Sequence, residues 1–193
     1  RVDFTRLHHY RVSRTRNAVN DSGFGAILCF DNNNIRYITS SVIGEWARDK
    51  VCRYALIAGS SEPYLWDFGS AAAHHRLFAP WLRKDHCRAG MLGLRGSVLP
   101  EAGLFKFAEV EIKEVLQNEG AAEMPIGVNI LELPMLFALK DAGLDIKDGQ
   151  QTMLDARQIK SMDEITLLNM SAAMVDGVYH TIAENLKPGM REN

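Results

Sequence analysis

The sequence has 193 residues, 47% of them hydrophobic and 24% charged, and its formal net charge is −2 at pH 7. This length suffices for one well-formed core, or for one domain and the beginning of another. Because acidic and basic residues nearly balance, we expect neither a nucleic-acid partner nor a membrane partner. No apolar run approaches the roughly 18 residues of a membrane-spanning helix. The three cysteines are widely spaced, which favours reduced thiols in a cytoplasmic protein.

The first part of the sequence predicts a helix followed by several strands. A helix is expected over residues 3–20, ended by Ser22 and Gly23. The apolar run GAILCF indicates a buried strand, DNNN a turn, and IRYITS a second strand. The segments CRYALIAG and YLWDF are separated by the turn residues SSEP and are predicted to form a hairpin.

The middle of the sequence alternates between helical and extended patterns. Helices are predicted for SAAAHHRLFAPWL, with Ser70 as N-cap and an interruption at Pro80, for EAGLFKFAEVEIKEVLQNEG and for ELPMLFALKDAG. Strands are predicted for CRAGMLGL and PIGVNI, and QTMLDARQI is expected to be a last extended piece. This order indicates an α/β fold with a mixed sheet flanked by helices.

The last predicted helix is specified most strongly. Ser161 and Glu164 have the spacing of a capping box. Apolar residues then recur every three or four positions and form one continuous stripe: Ile165, Leu168, Ala172, Val175, Tyr179, Ile182 and Leu186. Because such a stripe requires a packing partner, we expect this helix to open a second domain whose remainder lies outside the sequence.

These residues resemble the domain junction of the creatinase, aminopeptidase P and prolidase superfamily of pita-bread metalloenzymes. The resemblance rests on Arg157, Lys160, Glu164-Ile165 and Pro188-Gly189, and on the N-terminal stretch RLHHYRVSRTRNAVNDSGFGAILCFDNNNIRYITS. It implies a creatinase-like N-terminal domain at residues 1–155, and the junction and first helix of a pita-bread catalytic domain at residues 156–193. Ser40 departs from the pattern, which has Gly there.

Within the superfamily, LHHYRVSRTRNAV and EAGLFKFAEVEIKEVLQNEG most resemble the dimethylsulfoniopropionate lyase branch. This implies a homodimeric, metal-dependent lyase that cleaves a small-molecule substrate to dimethyl sulfide and acrylate, after a base removes a proton alpha to the carboxylate. One alternative is an Xaa-Pro dipeptidase or aminopeptidase P. Another is a non-enzymatic creatinase-like module for dimerisation or binding.

The superfamily holds its metal with two aspartates, a histidine and two glutamates, which the resemblance places beyond residue 193. The metal expected is iron, with manganese, cobalt or zinc as alternatives. We therefore assign no metal ligand and no catalytic residue within this chain, and expect the chain alone to be inactive. The pairs His8-His9 and His74-His75 are predicted to have surface or core roles, because adjacent helical residues point about 100° apart.

The segment SSVIGEWARDK contains the candidate substrate-contacting residues. By its residue types alone, Trp46 either covers a neighbouring core or lines a binding surface. The resemblance implies that this segment reaches the partner subunit's active site, so that Trp46 and Arg48 contact substrate in trans. An aromatic face suits a sulfonium cation, and a guanidinium suits a carboxylate.

Two other features are interpreted as structural. Cys29 is expected to be an inert thiol in a buried strand. The arginines of the first helix, at positions 6, 11, 14 and 16, could contact phosphate, but a solvated helix face or dimer salt bridges are the favoured interpretation.

Overall fold

A mixed β-sheet forms the centre of residues 8–159 in a computed structural model of the protein, which describes residues 1–42, 52–91 and 99–191. Its strands are β1 (Ala26–Cys29), β2 (Tyr54–Ala58), β3 (Tyr64–Asp67), β4 (Cys87–Ala89), β5 (Ile126–Val128) and β6 (Ile146–Asp148), in the order β4-β3-β2-β1-β5-β6. Strand β2 is antiparallel to both of its neighbours, and the other pairings are parallel. The predicted hairpin and the predicted mixed sheet are therefore confirmed.

Helices cover both faces of this sheet. On one face lie α4 (Leu104–Asn118) and α5 (Leu133–Asp141). On the other face lie α1 (Phe4–Asp21), α2 (Asn32–Thr39) and α6 (Gln150–Gln158). The remaining helices are α3 (Ala71–Phe78), α7 (Met162–Asn185) and short 3-10 turns at Lys84–His86 and Pro100–Ala102. Apolar runs such as AILC form strands here because both of their faces are buried.

A row of stacked rings crosses the hairpin of β2 and β3, from Phe30 just after β1 to His86 in a 3-10 turn. The ring of Tyr54 lies 5.3 Å from Phe30 and 5.0 Å from Trp66, and Tyr64 lies 6.1 Å from Trp66 and 3.6 Å from His86. Each such pair contributes about 0.5–1.5 kcal/mol beyond the area it buries. The row therefore stabilises the hairpin and its packing against the helical layer.

The prediction of a strand over IRYITS is wrong, because residues 35–39 belong to helix α2 and Ser40 is its C-cap. Asp31 is the N-cap: its side chain accepts hydrogen bonds from the backbone N–H groups of Asn33 and Asn34. The buried Ile35 and Ile38 are three residues apart and lie on the helix face that packs on the sheet. A short segment with this spacing also fits an alternating strand pattern, so tertiary packing decided between the two.

The prediction that QTMLDARQI is extended is also wrong, because it forms helix α6. Its buried residues Thr152, Met153 and Ala156 lie on one helical face. Gln, Met, Leu, Ala and Arg are strong helix formers, and this local preference agrees with the packing. The strand that precedes it, β6, was not predicted.

Residues 1–7 and 160–193 form a second compact unit, separate from residues 8–159. Its main element, α7, begins with the predicted capping box: Ser161 Oγ accepts from Glu164 N, and Glu164 Oε2 accepts from Ser161 N at 2.9 Å. The side chain of Asp163 accepts from Asp3 N at 3.0 Å and from Arg6 at 2.8 Å. The apolar stripe that was predicted to need a partner is exposed, with Leu168 at 57% and Tyr179 at 68% of their full accessibility.

Candidate functional site at the base of segment 43–51

The predicted substrate-contacting residues Trp46 and Arg48 lie in segment 43–51, outside the described residues. The structure does describe the residues that flank this segment. Ser41 precedes it at the end of α2, and Arg53 follows it at the start of β2. Both are buried. Val42, between Ser41 and the segment, is 58% exposed, whereas Cys52, between the segment and Arg53, is buried.

Arg53 joins the two ends of this segment. Its Nη2 donates hydrogen bonds to the backbone oxygen of Ser41 at 3.1 Å and to Ser41 Oγ at 2.7 Å. Its Nε lies 2.9 Å from Asp67 Oδ2, and the Arg53 side chain is only 4% exposed. Burial lowers the pKa of the Arg53 guanidinium, while the Asp67 carboxylate acts in the opposite direction. The buried positive charge is thus compensated by Asp67 at the end of β3.

His75 completes this ionic cluster. Its Nε2 lies 2.8 Å from Asp67 Oδ2, and the other oxygen, Oδ1, accepts from Phe68 N at 2.8 Å. His75 is buried, whereas its neighbour His74 is exposed. The two histidines therefore do not act as a pair. This confirms the predicted surface and core roles, and assigns His75 to the support of Asp67.

Further contacts hold the backbone around the cluster. Trp81 Nε1 donates to Thr39 O at 2.9 Å, and Thr39 Oγ1 lies 2.6 Å from Ser41 Oγ. Gly90 N donates to Asp67 O at 2.7 Å, and a Cβ at Gly90 would lie 2.5 Å from Cys52 O. Only glycine allows this approach, so the backbone on both sides of segment 43–51 is fixed by close packing.

Ser40, where the superfamily pattern has glycine, adopts the left-handed conformation that glycine favours, with φ of 51° and ψ of 26°. It ends α2, and its N–H donates to Arg36 O at 2.9 Å. Its Oγ lies 3.2 Å from His8 Nδ1. Ser40 therefore forms a turn of the kind that glycine favours, with a side-chain contact that glycine could not make.

His8 is 2% exposed, and its Nε2 has no hydrogen-bond partner among the described residues. Burial lowers the pKa of His8 to about 4, with the nearby Glu62 carboxylate acting in the opposite direction. The ring is therefore neutral near pH 7. His9 is exposed, so this pair too divides into one core and one surface residue.

The α1 arginines make contacts within the chain that the sequence did not indicate. Arg14 donates to the backbone oxygens of Asp155 and Ala156, at 2.7 and 3.2 Å, and Arg16 donates to Ser61 O at 2.6 Å and pairs with Glu62 at 3.0 Å. The Arg11 guanidinium lies 5.2 Å from the centre of the Tyr37 ring. Arg11, Arg14 and Arg16 are partly exposed and fasten α1 to its neighbours within the chain, while the expectation of dimer salt bridges stays a prediction. These contacts join α1 to residues that are distant in the sequence. The spacing of the arginines along one helix carries no information about such partners.

The described residues do not fit a metal centre. Among residues 1–42, 52–91 and 99–191, no group of three or more His, Cys, Asp or Glu side chains could hold a metal ion. The three cysteines are buried thiols, and burial raises the pKa of the Cys29 thiol well above its usual range. Cys29 therefore lies in a buried strand, as the sequence predicted. In the described part of the chain, no helix combines the length and apolar content needed to cross a membrane.

Comparison with known proteins supports the resemblance drawn from the sequence. The chain is 27% identical over 164 residues to the dimethylsulfoniopropionate lyase DddP of Roseovarius nubinhibens. The aligned region covers 84% of this chain and 36% of that protein. It is 25% identical over 171 residues to the protein of the same name from Roseobacter denitrificans, covering 88% and 38% of the two chains. The Xaa-Pro dipeptidase from Bacillus anthracis superposes with a TM-score of 0.62 at 17% identity, over 96% of this chain and 45% of that one. No protein-family model matches the chain.

These similarities confirm the superfamily resemblance and the creatinase-like mixed-sheet fold. The structural likeness, at 17% identity, shows the fold alone. The chain spans less than half the length of each of these proteins.

Proposed function

We propose that the chain is the N-terminal part of a homodimeric, cytoplasmic, metal-dependent lyase that cleaves dimethylsulfoniopropionate. The observation that carries this proposal is the similarity to two curated dimethylsulfoniopropionate lyases over 84% and 88% of the chain. In the proposed division, residues 1–155 form the creatinase-like domain, and residues 156–193 form the junction and first helix of the catalytic domain. The metal, iron or otherwise manganese, cobalt or zinc, would be bound outside this chain.

The proposed reaction is an elimination. A base removes a proton from the carbon alpha to the carboxylate, a carbon–carbon double bond forms, and the carbon–sulfur bond breaks. Its electron pair neutralises the sulfonium and releases dimethyl sulfide, which leaves acrylate. Such a substrate carries a sulfonium cation at one end and a carboxylate at the other.

The role proposed for this chain is to contact both charges of the substrate in the partner subunit's site. The face of Trp46 would attract the sulfonium, and the guanidinium of Arg48 would pair with the carboxylate. The described flanks of the segment that contains both residues lie together, because Arg53 donates hydrogen bonds to Ser41.

A second candidate is an Xaa-Pro dipeptidase or aminopeptidase P, favoured by the fold shared with the Bacillus anthracis enzyme. The test is to supply the full-length, metal-loaded protein with dimethylsulfoniopropionate and, separately, with Xaa-Pro dipeptides. Release of acrylate without dipeptide hydrolysis supports the lyase. Dipeptide hydrolysis without acrylate assigns the protein to the peptidases. Turnover of neither substrate supports a non-enzymatic dimerisation or binding module.

A further inference from the structure

We propose that the carboxyl ends of β1 and β5 form a binding site for small zwitterions, which carry a carboxylate and a sulfonium or ammonium cation. In this site Asn129 donates to the carboxylate of the ligand, and Asp31 and Asp148 face its cation. The choice of ligand class rests on the proposed function, because dimethylsulfoniopropionate is such a zwitterion. The place of the site rests on the described residues alone, all within residues 8–159.

The first argument is the topology of the sheet. Strands β1 and β5 are parallel neighbours, with Leu28 paired to Val128. The chain leaves β1 into α2, on one face of the sheet, and leaves β5 towards α5, on the other face. Open α/β sheets bind their ligands at the carboxyl ends of parallel strands, at the point where the chain diverges in this way. The ends of β1 and β5 are therefore where this fold is expected to hold a ligand.

The second argument is a buried donor. Asn129 directly follows β5 and is only 8% exposed. Its Oδ1 accepts from Phe30 N at 2.8 Å and from Asp31 N at 3.4 Å, and these two donors fix the orientation of the carboxamide. Its Nδ2 has no hydrogen-bond partner among the described residues. Because buried donors are nearly always paired in native proteins, Nδ2 calls for an acceptor from outside the chain.

The third argument is the direction of this donor. Side chains alternate along a strand, so Asn129 lies on the same sheet face as Gly127. A Cβ at Gly127 would lie 2.9 Å from Ile27 Cδ1, and Ile27 packs on the face that carries α2 and α6. Helix α2 follows β1, and α6 follows β6, the strand on the other side of β5. The Asn129 amide therefore lies between the N-terminal ends of these two helices.

The fourth argument is the charge on both sides of the amide. Asp31 precedes α2, and Asp148 ends β6 just before α6. Each carboxylate uses Oδ1 to accept backbone N–H groups of the helix that follows it. Within the described part of the chain, neither Oδ2 has a hydrogen bond or an ion pair.

These charges decide the ligand class. Neighbouring strands lie about 4.8 Å apart, so Asn129 and the two carboxylates are within the reach of one small molecule. An anion without a cationic group would be repelled by Asp31 and Asp148, whereas a zwitterion places its cation beside them. Asp148 is exposed and Asp31 is half-buried, so a ligand can reach the site from solvent.

The variant that isolates the donor is Asn129→Asp in the 193-residue chain. Aspartate has the same shape and keeps an oxygen for the two backbone N–H groups, but it loses the Nδ2 donor and repels a carboxylate. Asp148→Asn is the second variant: it keeps the acceptor for Gln150 N, removes one charge, and lies at an exposed position where it does not disturb the core. The matched control is Asn118→Asp, which adds the same charge at an exposed position of α4, on the other face of the sheet.

The probe is dimethylsulfoniopropionate, and amide NMR spectra report its binding. We expect a saturable shift of the Asn129 side-chain amide signal in the wild-type chain. Followed through the backbone amide of Ile130, Asn129→Asp should raise the dissociation constant at least about tenfold. Asp148→Asn should raise it about two- to fivefold, and Asn118→Asp should leave it within about twofold of the wild type. Acrylate and tetramethylammonium each offer one of the two charges, and each should bind at least about fivefold more weakly than the zwitterion.

Two results would overturn the inference. An Asn129 amide signal that does not move at millimolar concentrations of the probe would assign Nδ2 to water only. Equal binding of acrylate and dimethylsulfoniopropionate would remove the role of Asp31 and Asp148 and with it the zwitterion class.

The binding readout does not depend on turnover, so the site and the proposed function can fail separately. If a protein that includes the proposed catalytic domain releases acrylate while the Asn129 signal does not respond, the site is wrong and the lyase assignment stands. If the signal responds and Asn129→Asp abolishes the response in a protein that releases no acrylate, the site stands and the lyase assignment is wrong.

Discussion

Arg157 Nη1 donates a hydrogen bond to Asn34 Oδ1 at 2.7 Å, which joins two residues 123 positions apart. Each belongs to a stretch that carries the superfamily resemblance: Asn34 lies in NIRYITS, and Arg157 lies in the junction. Around them, Tyr37 Oη donates to Ala156 O at 3.0 Å, and Arg14 donates to Asp155 O and Ala156 O. Helix α6 thus ends in carbonyl groups that side chains of α1 and α2 satisfy, as helix C-termini require.

We expect Arg157→Ala to lower the free energy of unfolding by about 1–2 kcal/mol, because the buried amide of Asn34 loses its partner. In a double-mutant cycle with Asn34→Ala, the coupling energy should be at least about 0.5 kcal/mol. Urea denaturation measures all four proteins. Arg36→Ala, an exposed arginine of the same helix α2, is the control and should change stability by less than about 0.5 kcal/mol. Additive effects of Arg157→Ala and Asn34→Ala would contradict the contact.

His8 should make stability depend on pH between about 4 and 6.5. Its pKa is lowered from 6.5 to about 4 in the folded protein, so the unfolded chain binds more protons across this range. Stability due to His8 is therefore fully present above pH 6.5, is lost as the pH falls towards 4, and amounts to at most about 3 kcal/mol. Urea denaturation at several pH values should show a flatter profile for His8→Asn than for the wild type. His9→Asn, at the adjacent exposed position, should leave the profile unchanged.

The backbone at Ser40 can be tested by comparing Ser40→Gly with Ser40→Ala. Both remove the hydroxyl that contacts His8, so their difference reports the left-handed conformation alone. Because a Cβ costs about 1–2 kcal/mol in this region, Ser40→Gly should be the more stable by about 1 kcal/mol, after allowing for the greater entropy of glycine in the unfolded chain. Thermal unfolding of the two variants measures the difference. Equal stabilities would mean that the turn relaxes when the hydroxyl is lost.

The proposed function predicts that Trp46→Ala and Arg48→Ala, in a protein that includes the proposed catalytic domain, reduce turnover far more than stability. Loss of the aromatic face should weaken substrate binding by about 1–2 kcal/mol, and loss of the guanidinium should weaken it by a comparable or larger amount. Both variants should still dimerise and retain metal, which sedimentation and elemental analysis would check.

Action in trans can be tested with mixed dimers. A heterodimer of a Trp46→Ala subunit and a metal-site mutant subunit should contain one intact site and recover up to half of the wild-type activity. Mixed dimers that stay inactive while each parent folds would show that the segment does not act across the interface. Wild-type kinetics in both single variants would return Trp46 to the role of a core cover.

The exposed apolar face of α7 should cause the 193-residue chain to self-associate. Leu168 and Val175 are 57% and 52% exposed on one continuous stripe, and contiguous apolar surfaces of this kind mark interaction sites. Sedimentation velocity should show a weight-average mass that rises with concentration. The double variant Leu168→Gln and Val175→Gln should suppress this rise, and the exposed polar control Asn169→Gln should not. A chain that stays monomeric at high concentration would contradict the expectation.

The sequence by itself determined the elements whose signals are local. The capping box at Ser161 and Glu164 involves residues three positions apart, and the hairpin of β2 and β3 follows from two apolar runs around a short turn. The α/β layer order and the superfamily resemblance followed from the succession of such elements. Local hydrogen bonds and periodic patterns involve residues that are close together in the sequence, so the sequence alone is sufficient to predict them.

Only the tertiary structure decided the short segments and the contacts that surround the candidate site. The six residues of IRYITS fit both a helical and a strand period, and residues 35–39 form a helix because Ile35 and Ile38 pack on the sheet. The cluster of Arg53, Asp67 and His75 unites residues whose separations in sequence have no periodic meaning. An uncompensated charge is unfavourable in an interior that excludes water, so these side chains must pair with one another. Which side chains meet there is decided by the packing of the whole fold.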